Sequence, residues 1–124
     1  MMPTAEHRLD HTLLALADPT RRAILRRLMA NEERVTDLAA PFRVSLNAIS
    51  KHIRVLEQAG LVHRRVTGRE HRLTFDPRPL DDAAAWIAAQ RTFWEAHLEA
   101  LEAHLLGRKA ASGATPPHRK PHRR

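Results

Sequence analysis

The sequence predicts a mainly α-helical domain with one small β-hairpin, an α+β fold with the element order α-α-α-α-β-β-α. Three observations predict this fold. An amphipathic run over 46–58 stands between a capping serine and a glycine, two short β-type runs flank a glycine turn, and a long helical run covers 80–106. The 124 residues have room for one modest core, which we expect within 1–106.

The composition excludes several classes of protein. There is no cysteine, so disulfides, thiolate metal sites and thiol redox sensing are all absent. No apolar run approaches the roughly 20 residues that span a bilayer, and the first residues lack the apolar stretch of a secretory signal. We therefore expect a cytoplasmic protein without a membrane partner.

The net charge of +7 is unevenly distributed along the chain. Residues 107–124 hold six of the 21 lysines and arginines and no acid, and they predict a disordered basic tail that adds nonspecific phosphate attraction or is simply a solvated extension. Residues 43–72 carry seven basic groups against two acids, whereas 79–106 carry five acids against one base. The basic middle segment indicates a nucleic-acid partner.

The first three helices follow from apolar spacing and caps. Leucines three and four residues apart predict a first helix over 7–17. Asp18 and Pro19 predict the start of a second helix, which runs to about Ala30. A short third helix opens at Thr36 and ends around Pro41. The second helix is expected to bury Ile24, Leu25 and Leu28 and to expose Arg22, Arg26 and Arg27.

Ser45 is a suitable N-cap for a fourth helix over 46–58, and Gly60 follows where a left-handed residue is expected. At 100° per residue this helix has two faces. The face predicted to be buried consists of Leu46, Ile49, Ile53 and Leu56. The opposite face consists of Asn47, Ala48, Lys51, Arg54, Val55 and Gln58, and it suits a DNA major groove.

Individual side chains on the fourth helix have matching DNA partners. Asn47 can pair bidentately with adenine, and Lys51 can reach guanine or a phosphate. Ser50 lies at the flank of this face, and Ser45 lies beside the free N–H groups of the helix N-terminus, which favour phosphate. The alternative is that these are solvated residues of an amphipathic helix, and the following hairpin favours DNA over that alternative.

Two runs, 62–67 and 70–75, flank Gly68-Arg69 and predict a β-hairpin. Its cationic or titratable residues are His63, Arg64, Arg65, Arg69, His71 and Arg72. A protective basic edge strand explains one or two such charges but not six. Two short helices followed by this hairpin predict a winged helix-turn-helix, with helix 46–58 in the major groove of double-stranded DNA and wing 62–75 on the backbone or in the minor groove.

The last helix carries two adjacent apolar stripes that predict a homodimer interface. Its expected interface residues are Trp86, Trp94, Leu98, Leu101 and Leu105. A pocket for an apolar ligand is the alternative, although no polar group converges on these side chains.

No cofactor is expected, and no catalytic constellation or phosphate loop marks an enzyme. A winged-helix module that binds protein would need an apolar or acidic helix face, which Lys51 and Arg54 contradict.

The stretches 16–25 and 44–62, continued through 68–80, resemble the ArsR-type (ArsR/SmtB-like) winged helix-turn-helix regulators, in a cysteine-free form. The resemblance covers about 8–105 and implies a homodimer joined through the first and last helices, with Leu9 and Leu13 in the interface. It implies repression, often of the regulator's own gene, at a palindromic operator. The DNA-contacting segment that it implies is Ser45, Asn47, Ala48, Ser50, Lys51 and His52. In many members a polar residue stands at the position of Leu46.

Many relatives of this type sense metals, but the matching positions here lack ligands. Residues 34–38 contain no cysteine, and Ala83 and Trp94 stand where ligands would follow Asp81. His97 and His104 share one helix face, so a dimer could gather four imidazoles. We expect no metal. A repressor switched by an unidentified small molecule or by a histidine-bound metal stays open as an alternative.

Overall fold

The computed structural model describes residues 4–111, with side chains through 108. The elements are α1 (Ala5–Leu16), α2 (Pro19–Ala30), β1 (Glu33–Arg34), α3 (Val35–Ala39), α4 (Leu46–Gln58), β2 (Val62–Thr67), β3 (Glu70–Phe75) and α5 (Arg78–Ala111). The mainly helical fold with a small β-hairpin wing is confirmed. The chain divides into two compact units between Ala85 and Trp86, within α5.

Caps fix the helix starts because they satisfy N–H groups that have no partner inside the helix. The Thr4 side chain accepts from the N–H of His7 at 3.1 Å, so α1 begins two residues earlier than predicted. Asp18 Oδ2 accepts from the N–H of Arg21 at 3.0 Å, and this hydrogen bond, aided by nearby His52, lowers the pKa of Asp18. Pro19 occupies the first turn of α2 as predicted.

The limits of α3 and α5 also differ from the sequence prediction. Helix α3 begins at Val35 rather than at Thr36, and it ends at Ala39 rather than around Pro41. Helix α5 does not end at Gly107 but continues to Ala111, because a single glycine among good helix formers costs only about 1 kcal/mol relative to alanine. Of the predicted tail 107–124, residues 107–111 are therefore helical, and the remainder lies outside the described residues.

The three strands form one antiparallel sheet in the order β1-β3-β2. In the hairpin Thr67 faces Glu70, so the loop has two residues as predicted. Gly68 has φ +61°, and no other residue type in the described part has positive φ, which fits a turn with glycine at its first central position. Strand β1 was not predicted. Its two charged residues pair with Arg72 and Leu73 of β3.

One apolar cluster is buried between the helices and the sheet. Its fully buried large side chains come from α2, α3, α4, the α4–β2 turn and the sheet: Ile24, Leu25, Leu38, Ile49, Ile53, Leu56, Leu61, Val62 and Leu73. In α1 the inward face is Thr12 and Ala15, which leaves Leu13 and Leu14 exposed. Helix α4 packs on α1, α2 and β2, so the core fixes the orientation of its outward face.

The buried carboxylate of Asp76 anchors the end of the hairpin and the start of α5. Its Oδ2 lies 2.7 Å from Nη2 of Arg78 and 2.7 Å from Nε2 of His63, and its Oδ1 accepts from the backbone N–H of Arg78 at 3.0 Å. The side-chain and backbone hydrogen bonds of Arg78, followed by that of His63, hold the pKa of Asp76 well below its usual range.

We expect Asp76→Asn to lower the free energy of unfolding at pH 7 by about 1–3 kcal/mol, since an amide cannot accept at both of its terminal atoms. The pKa of Asp76 is lower in the folded state, so its contribution is present above the unfolded pKa of about 3.9 and is lost as the pH falls below that value. Urea unfolding between pH 7 and pH 3 should show the gap from wild type shrinking. Asp82→Asn, at an exposed carboxylate near the start of α5, is the control. A gap that does not change with pH would contradict the assignment.

Candidate DNA-binding surface

The N-terminus of α4 is shaped by Ser45, whose Oγ accepts from the N–H of Ala48 at 3.1 Å. The serine therefore caps the helix and lies at the first turn, as predicted. The helix dipole makes this end partly positive, and its remaining N–H groups can donate to a phosphate.

The outward face of α4 is polar and cationic, and no other side chain neutralises it. Asn47, Lys51 and Arg54 are exposed and make no hydrogen bond or ion pair within the part of the chain that the structure describes. Ala48 and Ser50 are half-buried at the borders of this face. Together these five positions present an amide, an ammonium, a guanidinium and a hydroxyl around a small alanine, a set that can bind base edges and phosphates.

His52, which the family resemblance places in the DNA-contacting segment, is half-buried and lies against the α1–α2 junction. Its Nδ1 is 3.3 Å from Nη1 of Arg21 and 3.9 Å from Oδ2 of Asp18. Arg21 also donates to the carbonyls of Ala15 at 2.9 Å and Leu14 at 2.8 Å. In this arrangement His52 positions α4 against the first two helices. No sequence signal identifies Arg21 as the partner of His52.

Two apolar residues of α4 depart from the predicted faces. Leu46 was predicted to be buried, but it is 53% exposed, because it stands in the first turn beyond the reach of the core that covers Ile49 and Ile53. Val55 was placed on the outward face, but it packs against the core.

Some cationic side chains of the wing are ion-paired with carboxylates, and one is not. Arg64 donates to both carboxylate oxygens of Glu57 at 3.0 Å, and Arg65 donates to Glu32 at 2.7 Å. His71 Nδ1 lies 3.0 Å from Nη1 of Arg64, so these two residues form one cluster. Arg69 at the exposed tip has no partner among the described residues. Among the described residues the wing therefore offers the free guanidinium of Arg69, while Arg64 links the wing to α4 and Arg65 links it to Glu32, just before β1.

A cavity of about 460 Å³ lies between the wing and the start of α3. Its lining is dominated by cationic or titratable side chains: Arg34, Arg64, Arg69 and His71, beside Val35, Thr36 and Glu70. Arg34 pairs with Asp37 at 3.0 Å and Arg64 pairs with Glu57 at 3.0 Å, so among the described residues Arg69 is the guanidinium of this lining that has no partner. No group of three or more potential metal ligands lies together within residues 4–111, and no helix there is long and apolar enough to cross a membrane.

Helix α5 has a large apolar stripe that the single chain leaves uncovered. Ile87, Trp94, Leu101 and Leu105 recur at the seven- and four-residue spacing of one helix face and are each about half exposed. The predicted interface residue Leu98 is half-buried on the same face, and Trp86 is exposed on the neighbouring one. In α1, Leu13 is exposed and Leu9 is half-buried.

The helix pair α3–α4, the polar face of α4 and the hairpin that follows define a winged helix-turn-helix protein. A family model described as a helix-turn-helix domain matches residues 16–65. HTH-type transcriptional regulator Rv2034 of Mycobacterium tuberculosis is 42% identical over 71 residues, which is 57% of this chain and 66% of the relative. Transcriptional repressor SdpR of Bacillus subtilis is 29% identical over 79 residues, which is 64% of this chain and 88% of the relative.

Solved structures agree with these relatives. The crystal structure of an ArsR family transcriptional regulator, RHA00566, has a TM-score of 0.70 and 37% identity, covering 76% of this chain and 97% of that one. The solution structure of a homodimeric winged helix-turn-helix DNA-binding domain from Mycobacterium bovis has a TM-score of 0.54 and 26% identity, covering 75% and 83%. The chain belongs to the ArsR family of transcriptional regulators, as its sequence motifs predict.

Proposed function

We propose that this regulator binds a palindromic operator as a homodimer and represses transcription, with its own promoter as the first candidate target. In this proposal α4 enters the major groove, and the wing contacts the backbone or the minor groove. The observation that carries it is the unpaired outward face of α4, where Asn47, Lys51 and Arg54 are exposed without partners among the described residues. A helix-turn-helix contacts base edges through the N-terminal part of this helix.

The homodimer is supported by the apolar stripe of α5 and by the homodimeric state of the mycobacterial relative. A monomer would leave both tryptophans half exposed, and such contiguous apolar surface usually marks an interaction site. We propose that 1–106 acts as one functional unit, with α1 and α5 supplying the interface through Leu9, Leu13 and the stripe of α5. The protein would act in the cytoplasm and catalyse no reaction.

The proposal is tested by fluorescence anisotropy on DNA from upstream of the protein's own reading frame, against a scrambled duplex of equal length. Tight binding to the promoter duplex alone supports a sequence-specific autorepressor. Equal, weak and salt-sensitive binding to both duplexes would contradict autorepression, because it is the behaviour of phosphate attraction alone. Selection from random duplexes then decides whether a specific operator exists elsewhere.

We expect operator affinity to be unchanged, within about twofold, by EDTA or by added Zn²⁺. The chain has no cysteine, and His97 and His104 belong to no three-ligand group, so a tight divalent site has no donor set within the described part of one subunit. Anisotropy titrations with each metal condition check this. A Zn²⁺ effect that disappears in His97→Ala/His104→Ala would instead support the metal-switched alternative across the dimer.

A further inference from the structure

Leu46 occupies the first position of α4, between the capping Ser45 and the exposed Asn47. More than half of its surface is exposed, at 53%, although Ile49, Ile53 and Leu56 on the same helix are fully buried. The core is therefore complete without Leu46. A large apolar side chain at this place leaves more than half of its surface uncovered in the single chain.

The position of Leu46 decides what could cover it. The first turn of a recognition helix is the part that meets base edges in the major groove, and the next residue, Asn47, offers an amide suited to bases. Among the groups that the four base pairs present in that groove, the C5-methyl of thymine is the apolar one. Val44, just before the cap, is a second exposed apolar residue at this end of α4, with 44% of its surface uncovered.

We propose that Leu46 is a specificity-determining residue that contacts the methyl group of a thymine in each operator half-site. The inference rests on the proposed function, since it requires α4 to lie in the major groove. Asn47 next to it favours adenine, so the base pairs beneath the first turn of α4 are A·T pairs, with the thymine methyl against Leu46. A polar residue at this position would instead select a hydrogen-bonding base edge.

The test begins with selection of the preferred operator from a random duplex library by the full-length protein. Each thymine of one half-site is then replaced in turn by deoxyuridine, which removes the methyl group and keeps every hydrogen-bonding group. One replacement should weaken wild-type binding about fourfold, as expected for exposing one methyl-sized apolar group. In Leu46→Ala the same replacement should have no effect, and Leu46→Gln should lose the preference for thymine at that position.

Met29→Ala is the matched control, since Met29 is equally exposed on α2 and should retain the full deoxyuridine effect. The thermal midpoint of every variant should stay at the wild-type value, because both side chains lie outside the core. If no deoxyuridine weakens wild-type binding, or if the loss persists in Leu46→Ala, the contact is refuted while operator binding stands. If the library yields no preferred sequence at all, the proposed function and this inference are refuted together.

Discussion

Asn47→Ala/Lys51→Ala is expected to abolish sequence-specific DNA binding and to leave the fold unchanged. Both side chains are exposed on α4 and have no partner among the described residues, so their removal takes nothing from the core. Each base contact of this kind is worth about 1–3 kcal/mol, and the double variant should therefore lose at least about 30-fold in affinity per half-site. Anisotropy on the selected operator and on a scrambled duplex measures the loss.

The matched control for this prediction removes the same chemical groups elsewhere. Arg26→Ala/Gln58→Ala deletes one cation from the exposed side of α2 and one amide from the C-terminal end of α4. It should lower affinity for both duplexes slightly and equally, since it reduces the charge without touching the first turns of α4. If the two double variants weaken the operator complex to the same extent, the N-terminal half of α4 does not determine specificity.

Capping and turn residues explain why the limits of α4 and of the hairpin strands could be predicted from the sequence. Ser45 caps one end of α4, and Gly60, with φ +76°, closes the other, so both limits are encoded within a few positions. The hairpin has the same property, because Gly68 fixes a two-residue turn and the turn fixes the register. These signals do not depend on any distant part of the chain.

Three features that the sequence did not reveal depend on contacts with other parts of the chain. Strand β1 consists of two charged residues, and only its pairing with β3 makes it a strand. Arg64 looked like a free DNA contact, but Glu57 on α4 holds its guanidinium. Leu46 is exposed because the core does not extend to the first turn of α4. Helical periodicity shows which face of a helix is apolar but not how far along the helix the core extends. Apolar spacing and capping residues thus predicted the helices and the hairpin, whereas packing decides which side chains stay exposed and unpaired.

The apolar stripe of α5 is expected to hold the proposed dimer together. Trp94→Glu/Leu101→Glu should convert the proposed dimer to a monomer, because each dimer would then bury four uncompensated carboxylates. Both side chains are about half exposed in the single chain, so the folded core does not need them. A monomer engages one half-site, and the lost second site should weaken operator binding about 10²–10⁴-fold.

Sedimentation velocity measures the mass of this variant, and anisotropy on the full operator and on an isolated half-site measures its binding. The control is Ala96→Glu/Ala103→Glu, which adds the same two charges at the same seven-residue spacing but on the opposite, exposed face of α5. The control should remain dimeric and bind the full operator like the wild type.

The α5 variant should bind the full operator no more tightly than the half-site. If it stays dimeric, the stripe is not the interface; if it is monomeric yet binds the full operator like the wild type, half-site coupling does not come from α5. Either result would move the source of cooperativity to another surface, such as the leucines of α1.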